Sequence, residues 1–345
     1  MKARLLGVLL VLVGLLAACG GSGTTATSEA GLSGYWTKLP AADPAPSPRS
    51  GMSLVYDADH VQMLLFGGWD NDTDFGDTWS YDLDAATWTD QKPGGTLPAP
   101  RALYQAVWDA AAARLVLFGG TSDAGRFGDT WTFDPTADVW TETAGAGAPQ
   151  ARSAHAMVYD SDAGRVLMFG GVGDAGRFGD TWTYDTASGL WSQVAAEGAS
   201  PSVRSGHAMV YVPDEKMTLL FGGYDGTKFL NDTWAYDSQA STWTELSPVG
   251  AVPSARGNHR MVYDPENGVV VLFGGNDGSA ELADVWTYDL AMNTWQRLDT
   301  PGDVPPGREE HALVYDPSTG GVLLFGGFDN SDADLADLWE LNIGR

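Results

Sequence analysis

Hydrophobic and polar positions follow three regimes along this 345-residue chain. Lys2 and Arg4 precede an unbroken apolar run, GVLLVLVGLL, that ends at Leu16. Residues 20–33 (GGSGTTATSEAGLS) then offer almost nothing to bury. From residue 34 onward, short apolar or alternating segments are separated by Gly, Asp and Pro, without sustained helical spacing, which predicts an all-β body. Between residues 155 and 194 four strands are predicted. His155–Asp160 (HAMVYD) is the first and Arg165–Phe169 (RVLMF) the second, across an Asp-Ala-Gly turn. The second is apolar on both faces and has to be covered on both. Asp180–Asp185 (DTWTYD) alternates, with Trp182 and Tyr184 on one face and Thr181 and Thr183 on the other. Leu190–Val194 (LWSQV) is mostly polar and suits an outer edge.

This pattern recurs. A Gly-Gly doublet after Phe begins at Gly67, Gly119, Gly170, Gly222, Gly274 and Gly326, in steps of 52, 51, 52, 52 and 52 residues. The same steps separate Arg49, Arg101, Arg152, Arg204, Arg256 and Arg308. Tryptophan pairs nine apart (Trp79/Trp88, Trp131/Trp140, Trp182/Trp191, Trp234/Trp243, Trp286/Trp295) give a third, concordant ruler. Six units of four antiparallel strands, packed on both faces, describe the blades of a β-propeller. The last unit has only three strands: HALVYD (311–316), VLLFGG (322–327) and DLWELN (337–342). Tyr35-Trp36-Thr37-Lys38-Leu39 matches the fourth strand Thr242-Trp243-Thr244-Glu245-Leu246. The N-terminal segment is therefore predicted to complete blade six, Trp36 supplying the partner that Trp339 lacks.

An apolar strand running into Gly-Gly, Tyr and Trp at fixed offsets, and Pro-x-x-Arg-x-x-His-type residues opening each unit resemble kelch repeats across residues 34–345. The resemblance implies a six-bladed kelch-type β-propeller, blade six being closed by an N-terminal outer strand.

The apolar run is short for a membrane span and reads as an export signal. Leu16-Ala17-Ala18-Cys19-Gly20 resembles the lipobox of bacterial lipoproteins, which implies cleavage before Cys19 and a lipid on its sulfur. The expected organisation is a signal peptide at 1–18, a lipidated Cys19 with a flexible linker to 33, and the propeller at 34–345. A secretory signal leaving a free thiol is the plainer alternative, and either way the body is exported to the cell envelope or beyond. Cys19 is the only cysteine, so the body folds without disulfides. A formal net charge of −26 repels nucleic-acid phosphates and anionic lipid surfaces. Nucleic acid is excluded as a partner, contact with a membrane is expected only through the anchor, and a monomer is expected.

Six copies within one chain separate scaffold from function: a residue in every blade serves the blade. No helix follows the Gly-Gly doublets, so they read as crowded turns rather than phosphate loops. Asp77, Asp129, Asp180, Asp232, Asp284 and Asp337 are expected to make turn hydrogen bonds. The six arginines are expected to pair with carboxylates or carbonyls and lock neighbouring blades. His155, His207, His259 and His311 invite a metal reading, but sheets about 10 Å apart keep them from sharing an ion, so they are assigned to the core or channel wall. No cofactor or metal is expected.

Where the copies differ, the loops after strand two and before strand one share a rim. Two residues past the first glycine of each doublet stand Trp69, Thr121, Val172, Tyr224, Asn276 and Phe328. Three before the repeated Asp stand Asp74, Arg126, Arg177, Phe229, Glu281 and Asp334, with Lys228 beside Phe229. Blades two to four are thus basic on the rim, and blades five, six and one, which include Glu309 and Glu310, are acidic. The histidine position becomes Met52 in blade one and Tyr104 in blade two. Trp69, Tyr104, Arg126, Arg177, Tyr224, Lys228, Glu281, Glu309 and Phe328 are the candidate ligand residues, with rings for stacking and charges for orientation. They suit a lipid-anchored module facing the surface or periplasm that recognises a protein or glycan. A sugar-acting enzyme resembling the six-bladed sialic acid mutarotases is the alternative. It would converge Glu281, Glu309 or Glu310 with Arg126, Arg177 or Arg260. The copper enzyme galactose oxidase, whose cofactor needs a cysteine cross-linked to tyrosine, finds no such cysteine here. A structural subunit of an envelope complex is the third class.

Overall fold

The computed structural model describes residues 31–143, 147–195 and 198–344; Cys19 and the segment 1–18 lie outside them. Six four-stranded antiparallel sheets account for the body, five of them with their strands side by side in chain order. Their first strands, Ser53–Asp57, Gln105–Asp109, Ala156–Asp160, Ala208–Val212, Arg260–Asp264 and Ala312–Asp316, contact one another in sequence. The last contacts the first again, so the sheets close into a six-bladed ring around a channel. Second strands such as Arg114–Phe118 and Arg165–Phe169 are buried throughout their apolar residues because each faces a blade on either side.

Blade six is composite. Ser33–Lys38 lies antiparallel to Leu338–Gly344 as its outer strand, Ser33 facing Gly344. Trp36 is buried and packs edge-on against Phe273 of blade five at 5.1 Å, as Trp191 packs against Phe118 and Trp243 against Phe169. Burying an aromatic ring of this size contributes about 3 kcal/mol. The predicted closure stands, with one correction: Trp36 lies opposite Leu341, and Trp339 lies opposite Lys38, whose ammonium sits over its ring. In every blade the fourth-strand tryptophan falls in register with the residue two past the third-strand tryptophan, as Trp191 does with Tyr184 and Trp140 with Phe133.

The seams between blades carry a second repeated bond. Trp140, Trp191, Trp243 and Trp295 donate their indole N–H to Thr78, Thr130, Thr181 and Thr233 of the preceding blade, at 3.0–3.2 Å. Blades five and six have Val285 and Leu338 at that position, and the Trp36 indole nitrogen is buried without a partner.

Each repeated arginine grips its own blade with its side chain and the preceding blade with its main chain. Arg152 donates to both oxygens of Asp180 at 2.7 and 2.9 Å and to the Gly170 carbonyl at 2.8 Å. Its own N–H donates to Phe127 O, and its carbonyl accepts from Gly120. The same arrangement recurs around the ring, so the predicted interlocking holds and uses carboxylate and carbonyl together. The repeated Asp departs from expectation: it is an ion-pair partner, not a turn ligand, and also accepts the indole N–H two residues on, as in Trp182 to Asp180 at 2.7 Å. The Gly-Gly turn is crowded as expected. Gly119 has a φ of +69°, and a side chain there would meet the Arg152 carbonyl.

The four histidines are buried in the seams, each edge-on to the preceding blade's phenylalanine, as His155 is to Phe118 at 5.5 Å. Burial, then the neighbouring arginine charge, holds His155, His207 and His259 below their ordinary pKa. They are neutral core groups. Tyr104 occupies the same place in blade two: it is fully buried, its hydroxyl between the Phe66 carbonyl and the Ser53 N–H.

Candidate functional site

Each loop between strands two and three folds into a short ribbon on the rim. The two variable positions read from the sequence are cross-strand neighbours in it: Trp69 faces Asp74, Thr121 faces Arg126, Val172 faces Arg177 and Tyr224 faces Phe229. In the remaining blades Asn276 faces Glu281 and Phe328 faces Asp334. A third strand comes from the residue after each repeated arginine: Ser50, Ala102, Ser153, Ser205 and Gly257 bridge to Trp69, Thr121, Val172, Tyr224 and Asn276. In blade six that residue is Glu309, paired with Phe328.

The next residue of each blade forms a closed circle. Gly51, Leu103, Ala154, Gly206, Asn258 and Glu310 each donate a backbone N–H to the carbonyl of the equivalent residue in the neighbouring blade, at 2.6–3.0 Å. All six hold φ between 52° and 67°, a left-handed conformation costly for the non-glycine members, which the circle over-determines. This ring sits at the rim end of the channel and places the Glu310 side chain at its edge.

Blades six and one meet there around a cleft of about 420 Å³. Trp69 and Phe328 supply its apolar surface, and Asp70, Asp72, Asp74, Asp123, Glu309, Glu310 and Asp334 supply carboxylates. The Trp69 indole donates to Glu310 Oε2 at 3.3 Å, and the Asn258 amide donates to Glu309 Oε2 at 2.9 Å. Burial, then the charge of Glu309, pushes Glu310 up to about 7. Burial and the charge of Glu281 raise Glu309, and burial and the charge of Asp70 raise Asp334. Several acids therefore crowd one another in a half-buried cleft with no cation among the residues that line it. Among the described residues no group of histidine, cysteine or acidic side chains has the arrangement of a metal site. The cleft favours a positively charged group whose hydrocarbon stem or guanidinium face can lie on Trp69.

Of the nine residues singled out in the sequence, Trp69, Glu309 and Phe328 line this cleft. Glu281 flanks it, accepting from the Asn276 amide at 2.9 Å. Tyr104 belongs to the blade seam, so its place among the ligand residues is corrected: full burial leaves nothing for a ligand to touch. The basic arc lies elsewhere on the rim and is engaged locally. Arg126 pairs with Asp174 at 2.7 Å, and Arg177 donates to the Ser205 hydroxyl at 3.0 Å with its guanidinium over the Tyr224 ring. Tyr224 in turn packs on Phe229, and Lys228 is exposed. Arg126 and Arg177 are thus not brought together with the acidic residues, whereas Arg260 and Glu310 both face the channel beneath the ring. Sequence reasoning named Glu310 only as an acid for the sugar-acting alternative, left Asp334 out of the ligand residues and did not foresee the ring. The column Gly51, Gly206, Asn258 carried the signal, since Gly and Asn favour positive φ.

Comparison with known proteins agrees with this architecture. The KLHDC2/KLHL20/DRC7 Kelch-repeats domain matches residues 32–149, 144–315 and 267–345. Similar proteins include Mei4-dependent protein 6 of Schizosaccharomyces pombe, 26% identical over 86% of this chain and 48% of its own length. The Leucine-zipper-like transcriptional regulator 1 homolog of Drosophila melanogaster is 28% identical over 86% of this chain and 31% of its own. The Dynein alpha chain, flagellar outer arm, of Chlamydomonas reinhardtii is 29% identical over 90% of this chain and 7% of its own. The chain spans about half or less of the length of these curated relatives.

Proposed function

The chain belongs to the kelch-repeat family, whose propellers serve generally as protein-interaction modules, and we propose that this one is an exported, lipid-anchored module that binds a protein ligand through a lysine- or arginine-bearing segment on its rim. Cys19 carries the lipid, and the linker to residue 33 gives the propeller reach from the membrane. The observation that carries the reading is the cleft between blades six and one, where burial and neighbouring acids raise the proton affinity of Glu309, Glu310 and Asp334 beside Trp69 and Phe328. A cation relieves that mutual repulsion, which an anionic or neutral ligand does not.

Fluorescence anisotropy with a labelled lysine- and arginine-containing peptide library, alongside a glycan array, tests this. Binding to basic peptides is expected, weakening with salt and falling at least tenfold in the double variant Glu309→Gln, Glu310→Gln and in Trp69→Ala. Capture of neutral glycans without basic peptides would move the reading to carbohydrate. Acidic peptides binding through Arg126 and Arg177 would overturn it.

A further inference from the structure

The channel beneath the ring holds a charge that the rim cleft does not use. One residue past the histidine position, each first strand turns a side chain inward: Ser53, Gln105, Ala156, Ala208, Arg260 and Ala312. Three of the six are alanine, and Arg260 alone is charged. It lines both the channel cavity of about 130 Å³ and the narrow space of about 10 Å³ directly under the ring. Its Nε donates to the His311 carbonyl at 2.9 Å, which fixes the guanidinium plane. Its two terminal nitrogens meet no hydrogen-bond acceptor or ion-pair partner among the described residues. Glu310 is the acid that acts on it: the two line the same narrow space under the ring but lie beyond ion-pair distance.

This guanidinium is half-buried in the channel with no anion beside it, and its terminal N–H groups are open to whatever completes it. His259 and His311 beside it do not: burial, together with the Arg260 and Arg256 or Arg308 charges, keeps both neutral. The Gln105 amide and Ser53 hydroxyl line the same cavity and add donors suited to an oxygen ligand. A guanidinium fork takes a carboxylate through two parallel N–H···O bonds, and a cavity of about 130 Å³ has room for a carboxylate of one to three carbons. We propose that the propeller channel binds a small monocarboxylate on Arg260, with Gln105 and Ser53 as further donors, at a site separate from the rim cleft.

Arg260→Ala places in blade five the residue that blades three, four and six already carry, so the fold tolerates it. Calorimetric titration of the full chain with sodium formate and with sodium acetate at constant ionic strength is expected to show binding to the wild type and at least tenfold weaker binding to Arg260→Ala. Arg260→Lys, which keeps the charge without the fork, is expected to fall between them and to leave basic-peptide binding at the rim unchanged, and that binding is expected to persist in Arg260→Ala. Equal heats for wild type and Arg260→Ala would leave the cavity to water and overturn the proposal. Bromide binding in preference to formate would overturn the carboxylate assignment.

Discussion

Two sets of carboxylates in this molecule are pushed in opposite directions. In the seams, burial raises Asp77, Asp129, Asp180, Asp232, Asp284 and Asp337, but the paired arginine outweighs it and all six stand below the usual carboxylate range. In the rim cleft, Glu309, Glu310 and Asp334 are raised, because burial there is reinforced by other acids. The seam acids are complete within the fold. The rim acids are completed only by something else, and that separates scaffold from site more sharply than residue type does.

Breaking a seam pair gives the largest expected effect. Asp180→Ala leaves Arg152 buried and uncompensated, and is expected to cost about 3–5 kcal/mol by denaturant titration while leaving peptide binding at the rim intact. A smaller loss would mean that the ring, not the pair, holds the seam.

The pH dependence of the two sets has opposite sign. The seam acids bind protons less tightly folded than unfolded, so their contribution is present at neutral pH and is lost as pH falls below about 4. Glu310 binds its proton more tightly folded, so stability falls as pH rises from its unfolded value toward about 7. Glu310→Gln is accordingly expected to raise the melting temperature at pH 8 and to change it little at pH 4. An equal shift at both would remove the titration from the argument.

A subtler change adds a bond instead of removing one. Val285→Thr offers the unpartnered Trp36 indole the hydroxyl that four other seams have, and is expected to stabilise by about 1 kcal/mol. The smallest effect is expected on the basic arc. Arg126→Ala with Arg177→Ala removes half-exposed charges with local partners, one of them the 88% exposed Asp174. It is expected to change stability by less than about 1 kcal/mol, and cationic-peptide affinity by less than twofold.

The blade count, the composite sixth blade and the scaffold role of the repeated residues were legible because spacing along the chain maps directly onto a ring of equal parts. The histidines read correctly for the same reason. The site was legible only in part. Charge type at Arg126 and Arg177 suggested a binding arc, but whether a charge is free depends on partners some fifty residues away, such as Asp174, and no local pattern reports that. Tyr104 was misplaced because a departure from the repeat was taken for exposure, whereas tyrosine there fills a histidine-sized gap and hydrogen-bonds to the backbone. Glu310 was visible as an acid in an acidic arc and as one of three acids that an enzyme reading could use, with nothing to single it out. Its weight comes from a ring of backbone bonds, of which the sequence carried only the trace left by Gly51, Gly206 and Asn258 at positive φ.

The composite sixth blade also sets how the molecule bears force. Ser33 pairs with Gly344, so the two strands leave their shared ladder at the same end. Tension between the chain ends therefore loads the rungs singly, from Ser33 toward Lys38, as a zipper is drawn, and never shears them together. A propeller held in place through its N-terminal side and pulled at its C-terminus would open at this clasp first, while the five continuous blades stayed folded behind it.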